Sequence, residues 1–70
     1  MIIYEEQRSR LKELLSPDEY SNLLAVENDI DKFQELLDEY IFDRFDGNQE
    51  PTDKSDELER VYYEIYNQNK

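Results

Sequence analysis

Seventy residues with 19 acids against 8 bases, a net charge of −11, no cysteine and no histidine confine the chain to one small domain, residues 1–70, with no disulfide, thiolate or imidazole. So anionic a chain is unsuited to direct binding of DNA, RNA or an anionic membrane, and it favours a partner with a basic face. Nine aromatics (six Tyr, three Phe) set it apart from a disordered acidic tail. A chain this short buries only about 60% of its unfolded surface, and oligomerisation, as a homodimer, or binding to a partner is the expected source of extra stability.

Residues 3–15 predict a first helix with Ile3, Tyr4, Leu11, Leu14 and Leu15 on one face. Glu5 and Glu6 lie in its first turn and Arg8, Arg10 and Lys12 follow, the order that the helix dipole favours. Met1-Ile2-Ile3-Tyr4 is too short for a signal-peptide core and meets two acids with no basic region before it. No run approaches the ~20 apolar residues of a membrane span. These features predict a cytoplasmic protein.

Leu15-Ser16-Pro17 is a short break that predicts an antiparallel hairpin. Ser16 fits an N-cap, Pro17 the first helical position, and Glu19 the reciprocal position of a capping box. From there to Asp46 no Pro or Gly interrupts the chain. Leu23, Val26, Ile30, Phe33, Leu37 and Tyr40 recur at steps of three and four, a helical period. Tyr20, Leu36, Ile41 and Phe45 widen the stripe. The expectation is one uninterrupted helix over about 17–46, roughly 45 Å long, ended by Gly47 in a left-handed conformation. Arg44 falls on its apolar side, where it snorkels or pairs with a neighbouring acid.

Gly47 to Ser55 reads as a loop, with Ser55 as the N-cap of a third helix over about 56–67. Leu58, Val61, Tyr62 and Ile65 form its buried face and Tyr63 points the opposite way. Val61 to Tyr66 has strand propensity, but no second strand exists to pair with it. The expected fold is all-α, a long central helix with two shorter antiparallel helices, one on each half.

Glu27, Asp31, Glu35, Glu39 and Asp43 recur at every fourth residue, a row of like charges about 6 Å apart on a helix. Each such pair destabilises a helix by roughly 0.2–0.5 kcal/mol. Asn28, Asp29, Asp38, Asp46 and Glu50 thicken the row and Lys32 breaks into it. The plainest reading is a solvated face, since charge runs usually are. The functional reading is contact with a basic, nucleic-acid-binding surface of another protein, with the row imitating phosphates. Phe42 and Tyr63, off the core faces, are candidate apolar anchors; the bland alternative packs Phe42 against the following loop.

Other chemistry fits poorly. Asp43 to Glu50 resembles a calcium loop only in part: Phe42 stands where the first acid is needed, and Asp53 where a glutamate is. No His or Cys is available for zinc, no Glu-x-x-His pattern for a di-metal site, and no phosphate loop or nucleophile elbow is present. The expectation is a non-enzyme without cofactor or metal that inhibits or modulates a basic protein by occupancy. The alternative is a homo-oligomeric adaptor whose acids serve only solubility; a third possibility is an antitoxin-like partner of a basic toxin. In size and charge the chain is similar to small acidic helical proteins of phages and mobile elements, with no motif to carry that likeness.

Overall fold

The computed structural model describes residues 1–70 and is all-α, with four helices: α1 Glu5–Leu14, α2 Pro17–Leu24, α3 Ile30–Asp43 and α4 Asp53–Gln68. α1 starts later than the pattern predicted because Tyr4 is extended (φ −74°, ψ 152°) and its N–H donates to the Gln7 side chain at 2.9 Å. Tyr4 is thereby turned out to solvent, 58% exposed, and does not join the apolar face with Leu11 and Leu15. The start of α2 follows the capping-box expectation: Glu19 N–H donates to Ser16 Oγ at 3.2 Å and Ser16 N–H to Glu19 Oε1 at 2.9 Å.

The long central helix is broken in two. α2 ends at Leu24, and the N–H groups of Val26 and Glu27 reach back to the carbonyls of Leu23 and Leu24, three residues earlier, which tightens the last turn. Asp29 is extended (φ −123°, ψ 100°), and its carboxylate accepts from Lys32 N–H at 3.2 Å as the N-cap of α3. The cause is local: Asn and Asp side chains compete for backbone groups and favour caps over helix interiors. The break also lets α2 fold back against α3 and bury Leu23 and Phe33 together. The longest dimension of the molecule is 34 Å, so no 45 Å rod exists.

Both ends of the following loop differ from the expected ones. α3 stops at Asp43 with Arg44 as its C-cap; Gly47 is not left-handed, and Gln49 (φ 61°) takes that conformation instead. Asp46 accepts from the N–H groups of Asn48 and Glu50 at 2.8 and 3.0 Å, and this turn replaces the glycine cap. The N-cap of α4 is Thr52, not Ser55. Thr52 N–H donates to Ser55 Oγ at 2.8 Å, and Ser55, one turn in, is buried.

Each helix packs on its neighbours in sequence, and α4 closes the ring by packing on α1. The expected division of labour is therefore changed: α1 lies on α2 and α4, not along a central helix. Leu11, Leu15, Leu23, Phe33, Leu37, Tyr40, Ile41, Leu58, Val61 and Ile65 form one core. The chain ends meet where the side chains of Gln68 and Asn69 donate to the Ile2 carbonyl at 3.0 and 2.7 Å.

Arg44 joins the corners of this ring. Its guanidinium donates to the carbonyls of Leu14 and Tyr40, each at 3.1 Å, and pairs with both oxygens of Glu19. Its own carbonyl accepts from Thr52 Oγ1. The hydrogen bond from Arg44 holds the Glu19 carboxyl below its ordinary value of 4.5, against a smaller opposing push from burial. A depressed folded value means that this pair stabilises the fold above about pH 4.5 and that the contribution is lost as pH falls through the folded value. Thermal unfolding of wild type and Glu19→Gln between pH 7 and pH 3 tests it. The wild type should be the more stable near neutrality, with the gap closing in acid; a gap that does not change with pH contradicts the pairing.

Candidate functional site

The outer face of α3 is built by phase. With Phe33, Leu37, Tyr40 and Ile41 turned into the core, the 3.6-residue repeat places Asp31, Glu35, Glu39 and Asp43 on the far side, and all four are exposed. They climb about 18 Å of helix and wind through roughly 120°. Residues 29–50 carry eight acids against only Lys32 and Arg44, and Arg44 is turned inward to Glu19. More than half of the chain's excess negative charge thus sits on α3 and its flanks.

The chain's ion pairs fall elsewhere. Arg8 meets Glu27 at 3.0 Å, Arg10 meets Glu57 at 3.4 Å, and Arg44 meets Glu19. Glu27, expected as the first rung of the row, lies in the turn between α2 and α3 and is paired with α1. It leaves the row because the helix that would have carried it is broken. The other four rungs have no cation of their own chain within ion-pair distance. No three carboxylates converge to hold a metal ion; the acids are spread along an edge.

Phe42 stands among these acids and is 62% exposed. Its ring stacks on Phe45 at 4.9 Å between centroids, with the planes 25° apart. Phe45 is half-buried against the core, so it props Phe42 in place. Tyr63 belongs to α4 and is 54% exposed. It meets the edge of Tyr62 at 5.3 Å. Burial, with the Asp38 carboxylate beside it, pushes the Tyr62 phenol up. Tyr63 thus stands on α4, while Asp31, Glu35, Glu39, Asp43 and Phe42 share the outer face of α3.

One feature of this face had no sequence signal. A groove of about 250 Å³ runs between the turn after α2 and α3, lined by Val26, Lys32, Glu35, Leu36 and Glu39. Val26 and Leu36 carry the helical period of a core stripe; the break leaves both partly exposed at the groove.

No helix is long and apolar enough to cross a membrane. Compared with known proteins, the chain matches no family model, no curated protein and no solved structure.

The unpaired row has a measurable signature in stability. Changing Glu35 and Glu39 together to lysine converts the Asp31–Glu35 and Glu39–Asp43 repulsions into attractions, while the central pair stays repulsive. At roughly 0.2–0.5 kcal/mol per pair in each direction, the gain is on the order of 1 kcal/mol, a Tm rise of about 4–8 °C at low salt for a domain this small. The rise should shrink in high salt. A fall in Tm would show that the fold itself depends on these carboxylates.

Proposed function

We propose that the protein is a non-catalytic binding protein that presents the acidic face of α3 to a basic protein surface. It inhibits or modulates its partner by occupying that surface, and where the surface normally holds nucleic acid, the carboxylates take the place of phosphates. The observation that carries this reading is the distribution of charge. Arg8, Arg10 and Arg44 are engaged with Glu27, Glu57 and Glu19, while Asp31, Glu35, Glu39 and Asp43 are exposed and without such partners.

A second support is Phe42. A large exposed aromatic among carboxylates supplies apolar area where a purely solvated face needs none, and aromatics are enriched in interface hot spots. The rigid stack on Phe45 lowers the entropy lost when the ring is covered. The broken central helix shortens the contact from five rungs to four and confines it to α3. An adaptor that assembles through its apolar stripe is the less supported reading, because the middle of that stripe (Leu23, Phe33, Leu37, Tyr40 and Ile41) is already buried within one chain.

Affinity capture from the native host tests the proposal. Immobilised wild-type chain should retain a basic protein at low salt and release it as salt rises, since charge-steered contacts weaken with ionic strength. Glu35→Lys with Glu39→Lys should retain none. Glu6→Lys with Glu13→Lys, the same charge change placed on α1, should retain it as the wild type does. Retention by the α3 variant, or equal loss by both variants, contradicts a role for this particular face.

A further inference from the structure

The groove beside α3 has a mixed lining that a solvated charged face does not require. Val26 and Leu36 are apolar, and Glu35, Glu39 and Lys32 surround them. Val26 comes from the turn after α2 and Leu36 from α3, so the groove exists only because the chain breaks between those helices. At about 250 Å³ it lies below the roughly 300–1,000 Å³ of small-molecule sites. It is suited to a single side chain and not to a cofactor. Two of its residues, Glu35 and Glu39, are also rungs of the unpaired acidic row.

We infer that this groove takes one aliphatic side chain of a partner segment in which lysine or arginine residues flank that side chain. The inference rests on the proposed reading of the α3 face as the contact with a basic protein. The apolar residue lies on Val26 and Leu36, and its basic neighbours reach Glu35, Glu39 and the adjoining Asp31 and Asp43. Apolar burial then supplies selectivity among basic partners, which charge alone does not. A second copy of this chain does not meet the requirement. Its exposed large apolar residues are Met1, Ile2, Tyr4, Phe42, Tyr63 and Tyr66, and none of them has a lysine or arginine next to it in the sequence. A second copy would also bring a net charge of −11 against this acidic face.

Two short oligolysine peptides, one with a central leucine and one with serine in its place, test the inference by methyl and amide NMR of the full chain at low salt. The leucine peptide should bind about tenfold more tightly, as expected for partial burial of a leucine side chain. It should shift the methyl signals of Val26 and Leu36, whereas the serine peptide should shift only α3 amides around the carboxylates. Val26→Ser should bring the two affinities together with the amide dispersion unchanged, and Leu36→Gln should do the same if the serine variant unfolds. Equal affinities of the wild type for the two peptides, with the α3 amides shifting and the methyls still, overturn the groove and leave the acidic-face reading standing. No shift of α3 amides with either peptide overturns both.

Discussion

One guanidinium holds the corners of this molecule together. Arg44 reaches the last carbonyl of α1, the first-turn carboxylate of α2 and a carbonyl of its own last turn, while its main chain receives the cap residue of α4. Glu19 is shared between this arginine and the Ser16 N–H, so the cap of α2 and the clamp on α3 depend on the same two oxygens. Hydrogen bonds to charged groups contribute about 1.5–3 kcal/mol each, against a total stability of about 5–15 kcal/mol for ordinary domains. With no disulfide in the chain, a cluster of this kind carries a large share of what fixes the helices relative to each other. It lies close to the surface but is mostly covered, with side-chain exposures of 17% and 23% for Arg44 and Glu19.

Spending cations on the frame leaves the outer face of α3 short of them. Arg8 is drawn from α1 to the turn after α2, Arg10 from α1 to α4, and Arg44 from the end of α3 to α2, and α3 keeps only Lys32 among its outward acids. Alternating glutamate and lysine would make an equally soluble and more stable helix. A face that forgoes roughly 1 kcal/mol of helix stability is suited to a partner that supplies the missing positive charge. In the proposed complex the same repulsions would be relieved and would add to the attraction across the interface.

Much of this was legible in the residues, and the exceptions share a cause. The Ser16-Pro17-Glu19 cap, the core positions from Leu23 to Ile65, the exposure of Phe42 and Tyr63, and the pairing of Arg44 with an acid all follow from helical phase and local chemistry. The break at Ala25–Asp29 did not, because it contains neither glycine nor proline. Asn28 and Asp29 read as part of the acidic row, but Asp29 accepts from Lys32 N–H and begins a new helix. Ser55 read as the cap of the last helix, but Thr52 takes that place and Ser55, one turn in, is buried. The groove was invisible for a deeper reason. Val26 and Leu36 have the period of a buried stripe, and only the direction in which α2 folds back leaves their edges open beside Glu35 and Glu39.

The acidic face and the groove both depend on the chain turning at Ala25–Asp29, since the turn frees Glu27 for Arg8 and sets Val26 beside α3. Backbone ¹³Cα and ¹³C′ shifts from Pro17 to Asp43 measure it directly. Helical values through Leu24, a lapse centred on Asn28–Asp29 and helical values again from Ile30 are the expected result. Unbroken helical shifts from Pro17 to Asp43 would contradict it.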